Sequence, residues 1–275
     1  ACEERGVEYL VFPRDHFRPD FPTSTTAISQ GDYIPTRVSL CSGFMDNPLF
    51  NGATTSGGGH LVVLPIEPIE GMRERSGMAS STLRTVRRYF GCRLPTIYSP
   101  DKLAEIIFCL ENPPHKRGYI SGTLDARGIL GVGANLFRYA SDAWFPDAIT
   151  TITDEATLAW LEEHVYLRHS WDRPPGLAVT VRRDHADFGG ACDRMDAASL
   201  ACWAAIEGRD LSGLAAAIRL SHEAQSLVVE GHRPEELARF IAAEKDTLAA
   251  MIMGAGGGGY VLFVAERIPE SGIPI

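Results

Sequence analysis

Four consecutive glycines, Gly256 to Gly259, end the run Met253-Gly254-Ala255-Gly256-Gly257-Gly258-Gly259 and lead straight into Tyr260-Val261-Leu262-Phe263-Val264. Glycine carries no side chain and loses the most backbone entropy on ordering, so such a run cannot be serving packing and its backbone is the working part. A flexible linker is usually followed by polar sequence, whereas this run meets an apolar, β-rich segment that reads as a buried strand. The other reading is a loop that brings exposed N–H groups close to a ligand, often a phosphate. No Gly-Lys-Ser/Thr follows the glycines and no GxGxxG opens a helix, so the usual nucleotide fingerprints are missing.

Size and charge narrow the field. A chain of 275 residues and 30.0 kDa can bury a large core, as one big domain or two smaller ones. Formal net charge is -9, and basic residues are scattered apart from Arg84, Arg87, Arg88 and Arg93. Gripping a nucleic-acid backbone needs a concentrated positive field, so no nucleic-acid partner is expected. The arginine cluster reads as the solvated face of a helix or as a local site for an anionic substrate. The six cysteines are widely spaced with no CxxC pair, which fits unpaired thiols better than a disulfide framework or a zinc site. The first residues, Ala1 to Arg5, show no basic region followed by an apolar stretch, and no apolar run approaches the roughly 20 residues that span a bilayer. The expectation is a cytoplasmic protein with no membrane partner.

Along the chain, strands are expected over 7–12, 36–41, 61–66, 135–139 and 260–264, with a strand pair over 165–167 and 177–182. A loop containing Pro and Asp covers 13–25. Helices are expected over 80–89, 100–111, 196–207, 211–226 and 234–250 from apolar residues three and four apart. The helix over 100–111 carries Leu103, Ile106, Ile107 and Leu110 at that spacing and stops before Pro113 and Pro114. The run Ser76-Gly77-Met78-Ala79-Ser80-Ser81-Thr82 introduces the first helix with small and hydroxyl residues, which cap orphan N–H groups or leave room for an anion at the positive end of the helix dipole. Asp125, set among small residues, is either a turn former or a carboxylate held as a base. Strands followed by helices without strict βαβ alternation argue for an α+β architecture in two lobes, over 1–150 and 151–275.

The order of these motifs resembles that of the GHMP kinases, most closely the branch with fucokinase and the heptose 7-phosphate kinases. Pro35-Thr36-Arg37-Val38-Ser39-Leu40 followed by Cys41-Ser42-Gly43-Phe44-Met45-Asp46-Asn47-Pro48 is similar to the early strand of that branch and its Gly-Gly-Gly-Thr-Asp-Leu-Pro. Gly77 to Thr82 resembles the phosphate loop, and Gly122-Thr123-Leu124-Asp125-Ala126 the Gly-x-x-Asp-Gln segment. Residues 131–137 are similar to the Gly-Gly-x-Asn-x-Ile that follows, Leu161 to Leu167 to the next strand, and Gly254 to Gly259 to the last motif almost residue for residue. The resemblance runs from about Pro35 to Glu266; residues 1–34 have no counterpart in it. The interval between the Asp46 and Gly77 motifs is much shorter than in that branch, and Ala79, Ala126 and Arg73-Glu74-Arg75 replace other residue types.

The resemblance implies a β-rich N-terminal lobe, a helical, ferredoxin-like C-terminal lobe, and transfer of the ATP γ-phosphate to a hydroxyl of a sugar, sugar phosphate or related polyol. Asp125 would be the base or the charge that orients the acceptor, with Arg37 or Arg127 as the cation at the transferring group. Arg37 lies inside a strand, which favours a structural ion pair. Gly77, Met78, Ala79, Ser80, Ser81, Thr82, Gly256, Gly257 and Gly258 would hold ATP. Asp46, Gly122, Thr123, Gly254 and Ala255 would bind the small-molecule substrate, and Ser81 and Glu111 would take Mg²⁺. Glu111 is alternatively a plain helix-end carboxylate. A GHMP-fold binding protein without phosphotransfer and a decarboxylase-like enzyme using the same cleft stay open, as does a homodimer.

Overall fold

The computed structural model describes residues 34–72, 76–114, 120–174 and 179–275. The strand expected over 7–12, the loop over 13–25 and the Arg73-Glu74-Arg75 departure lie outside them, as does part of the strand over 177–182.

Two antiparallel sheets carry the fold. The first has the order β1-β2-β3-β4, built from Thr36–Cys41, Gly58–Ile66, Ala134–Ala140 and Ala148–Ile152. The second has the order β6-β7-β5-β8, from Thr247–Ile252, Tyr260–Ala265, Val165–His169 and Ile273–Pro274. Every residue of β1 is buried, because α6 (Phe188–Gly208) and α7 (Leu211–Val228) cover it along with α4 (Leu124–Gly128). Helices α6 and α7 pack on each other, α6 against β2 and α7 against β6. One core therefore takes Val38 and Val62 from the first sheet, Ile206 and Ile218 from these helices, and Leu262 and Val264 from the second sheet.

The helix over 100–111 forms as expected: α3 spans Pro100–Glu111, with the Ser99 hydroxyl accepting from Lys102 N–H at 3.2 Å and Pro100 in the first turn. Helix α2, Ser80–Phe90, differs at its start. Its N-cap is Ala79 in the left-handed region, φ 59°, with no side chain to accept from the first N–H groups. The arginines of its far end, with Arg93 beyond, are exposed, and Arg87 and Arg88 sit in the last turn where the helix dipole favours cations.

Three expectations are corrected. The helix over 234–250 is α8, Glu235–Ala242, followed by strand β6. The reason is burial on both faces: Ala249 and Met251 enter the core with α7, whereas Ala250 and Ile252 pack with Leu237 and Phe263. An apolar run buried on both sides satisfies helical spacing by default. The segment Leu161 to Leu167 is strand only in its second half, since Leu161 to His164 end helix α5, Glu155–His164. Within 177–182, Val181 forms an isolated bridge to Val229 and does not pair with β5.

Among the described residues, no helix is long and apolar enough to cross a membrane. Among the described residues, Cys41, Cys92, Cys109, Cys192 and Cys202 form no disulfide.

Candidate active site

The side chains of Arg37, Thr82, Glu111 and Asp125 meet from four separate elements. Arg37, on β1, donates through Nε to Asp125 Oδ1 at 2.7 Å and through Nη2 to the same oxygen. Its third contact, Nη1 to the Gly77 carbonyl at 3.1 Å, ties the pair to the loop before α2. Thr82 in the first turn of α2 donates to Glu111 Oε1 at 2.8 Å, and its hydroxyl lies 3.3 Å from Asp125 Oδ2. Arg37 is 5% exposed and Asp125 24%, so the arginine is walled in while the carboxylate stays open on one side. Arg37 thus pairs with Asp125. Arg127 points elsewhere and pairs with Asp101 of α3.

Asp46 stands behind this group. Its Oδ2 accepts from Leu124 N–H at 2.8 Å, and a Cβ on Gly122 would run into the same carboxylate. Glycine at 122 therefore lets the chain close over Asp46. Burial pushes the Asp46 carboxyl up to about 7; the Leu124 N–H opposes this, the Asp125 charge adds to it and Arg37 opposes it. Thr123 faces away and donates to the Trp144 carbonyl at 2.6 Å, with the Tyr139 hydroxyl 3.3 Å from its oxygen. A buried group such as Tyr139 carries no local sequence signal.

The glycine run is the hairpin between β6 and β7, closed by Met253 N–H to the Tyr260 carbonyl at 2.9 Å. Contrary to the sequence reading, its glycines do serve packing, of backbone on backbone. A Cβ on Gly254 would sit 2.9 Å from Gly77 Cα, on Gly256 2.5 Å from the His232 carbonyl, and on Gly258 2.9 Å from the Trp171 carbonyl. A Cβ on Gly77 would collide in turn with the Met253 carbonyl, and Tyr260 N–H donates to Ser76 O at 3.1 Å. The two glycine loops are therefore brought face to face. Gly254, Ala255 and Gly257 remain half-buried.

Two residues with no place in the sequence reading line this region. His222 and His232 are buried with ring centroids 5.5 Å apart, and neither Nε2 has a hydrogen-bond partner among the described residues. Burial pushes both imidazoles down, His222 to about 4 and His232 to about 3.

Of the remaining site candidates, Met78 and Ala79 are buried and Ser80 accepts from Ser76 N–H at 3.3 Å. Ser81 is exposed at the start of α2, while it is Thr82 that reaches Glu111. Among the described residues, no three His, Cys, Asp or Glu side chains group as a metal site.

No protein-family model and no curated protein sequence matches the chain. Solved structures do. Mevalonate kinase from L. major, solved with R-mevalonate, superposes with a TM-score of 0.58 at 12% identity over 89% of this chain and 90% of that one. The D-glycero-D-manno-heptose 1-phosphate kinase of Bacteroides thetaiotaomicron gives 0.54 at 13% identity over 88% and 93%. Streptococcus pneumoniae phosphomevalonate kinase, bound to phosphomevalonate and AMPPNP, gives 0.56 at 9% over 85% and 91%. The chain thus has the two-lobed α+β fold of the GHMP kinases. At these identities the likeness establishes the fold and nothing finer.

Proposed function

We propose that this chain is an ATP- and Mg²⁺-dependent kinase that phosphorylates a hydroxyl of a sugar, sugar phosphate or related polyol. The observation that carries the reading is the convergence of Asp125, Arg37, Thr82 and Glu111 at the start of α2. Phosphoryl transfer asks for positioning and charge neutralisation rather than covalent chemistry, so these few groups suffice. Asp125, fixed by Arg37 yet open on one side, orients the acceptor hydroxyl and takes its proton. The first N–H groups of α2, which lack a side-chain cap, suit a phosphate at the positive end of the helix. The Glu111 carboxylate and a hydroxyl fit Mg²⁺, a hard cation that binds through one or two carboxylates together with substrate phosphates. Glu111, with Thr82 or Ser81, would hold it, and the bound ion would neutralise charge on the transferring group.

A second reading, a GHMP-fold binding protein without phosphotransfer, is favoured by the short span between Asp46 and Gly77. Among the described residues it holds only α1 (Pro48–Asn51), β2 and brief connections. Calorimetric titration of Mg-ATP followed by ADP-release assays with sugars and sugar phosphates separates the two. In the kinase reading Asp125→Asn folds normally and loses on the order of a hundredfold or more in turnover. Unchanged turnover in that variant overturns the assignment of the base, and ligand-induced stabilisation without any ADP release supports the binding protein.

A further inference from the structure

A sheet edge is a row of unpaired backbone N–H and C=O groups, and folded proteins blunt such edges with very short strands, proline, charge, bulges or a covering element. Three of the four edges in this fold are blunted. Strand β1 is buried along its whole length beneath α4, α6 and α7. Strand β8 is two residues long and one of them is Pro274. On β6 the register shifts between Thr247 and Ala249, and the Leu248 carbonyl between them accepts from Arg219. Strand β4, Ala148-Ile149-Thr150-Thr151-Ile152, has none of these protections. It holds no charge and no proline, pairs with β3 without a register shift, and is exposed at its first four residues. Among the described residues no strand pairs with its outer side.

We propose that β4 is the interface with a second copy of this chain. The two β4 strands pair antiparallel about a two-fold axis and join the first sheets into one continuous sheet of eight strands, four from each copy. This does not depend on the kinase reading. Two-fold pairs are the commonest assemblies and use the same surface on both partners, so β4 must be complementary to itself. Register and charge show that it is. A two-fold axis perpendicular to a sheet keeps every residue on its own face, so it passes through a residue position. Set on Thr150, it pairs all five strand residues: Thr150 meets its own copy, Ile149 meets Thr151 and Ala148 meets Ile152. Every pair contains a β-branched side chain and no charge, the composition that cross-strand pairing favours. Ile149, 39% exposed beside Phe137 of β3, is covered by this pairing. Beyond the strand, Asp147 meets Thr153 and Asp154 meets Pro146, so like charges stay apart. Both acids also carry an arginine of their own chain, Asp147 with Arg138 at 3.6 Å and Asp154 with Arg209 at 3.0 Å. An axis on Thr151 would instead set Asp147 against Glu155, and one on Ile149 would set Ile152 against Pro146. The interface leaves the phosphoryl-transfer groups untouched, because Arg37 and its partner Asp125 lie at β1, the opposite edge of the sheet.

Sedimentation velocity of the full chain over a dilution series tests this. One short ladder makes a small interface, so we expect a two-chain mass at high concentration that falls towards 30.0 kDa on dilution. Thr150→Lys sets two ammonium groups against each other at the axis. It should weaken association about tenfold or more while keeping the wild-type melting temperature and Mg-ATP binding. Register is read separately, in a background carrying Cys2→Ser and Cys92→Ser. There Thr150→Cys should cross-link to its own copy through a short bis-maleimide, whereas Ile97→Cys, exposed outside β4, should not. A one-chain mass at every concentration overturns the proposal, whether the edge stays open or residues 1–33 of the same chain cover it. A two-chain mass that survives Thr150→Lys, or that forms without the Thr150→Cys cross-link, overturns it as well, because another surface or register then joins the copies.

Discussion

Asp46 and the two buried histidines pull the stability of this protein in opposite directions with pH. For Asp46 the folded carboxyl is raised from 3.8 to about 7 by burial, so between those values the native state holds a proton that the unfolded chain has lost. Stability contributed by that proton is present at low pH and is lost as pH rises through about 7, a change of at most about 4 kcal/mol. Asp46→Asn keeps an acceptor for Leu124 N–H and removes the buried charge. It should therefore be more stable than wild type at pH 8, with the gap closing towards pH 4, as read by urea titration across that range. Equal stabilities at pH 8 would show that the carboxylate is solvated. His222 and His232 have folded values below 6.5, so their contribution is full above 6.5 and declines as pH falls towards their folded values of about 4 and 3. Both variants share this acid limb. At this scale the sequence singled out Asp125, Arg37 and Asp46 from motif order, yet their division of labour was not legible. The strand position of Arg37 favoured an ion pair, but its partner, Asp125, lies 88 residues away and carries no local signal.

The glycine hairpin shows the same gap at the level of elements. That its backbone matters was readable from composition; what that backbone touches was not, because Gly77 and Gly254 approach through tertiary pairing alone. Gly254 has φ 62° and a Cβ there would press on Gly77, whereas Gly91 has φ 75° and open space around it. Gly91→Ala should thus cost only its backbone conformation, φ 75° with ψ -141°, which is almost confined to glycine, about 1–3 kcal/mol. Gly254→Ala should cost clearly more in denaturant midpoint and should also weaken Mg-ATP binding, because it displaces the loop that leads into α2. Equal losses in the two variants would mean that the loops are not held together. Helix α3 was legible to the residue because its start and stop signals are local: Ser99, Pro100 and the prolines beyond Glu111. Strand β6 was not, since its apolar run faces two cores and only its pairing with β7 makes it extended.

Across the whole molecule, α6 and α7 join the two sheets into one apolar core. Ile218 on α7 is fully buried there, and Ile218→Ala should cost about 2–5 kcal/mol. Because residues of both sheets share that core, the loss should appear as a shift of one cooperative transition, coincident by far-UV circular dichroism and by tryptophan fluorescence. Separate transitions would show that the sheets unfold independently.

The sequence by itself determined the elements whose signals lie within one turn or one strand: β1, β2, β7, α2, α3, and the order of motifs that matches a known fold. Periodicity and capping act over a few residues and leave their mark there. Only the tertiary structure decided which of those motifs meet. It placed Thr82 rather than Ser81 beside Glu111, set the glycine loops face to face, and put β4 at the outer edge of the first sheet. Each of these rests on contacts between distant parts of the chain, whose partners are fixed by burial and sheet pairing and leave no trace in local sequence.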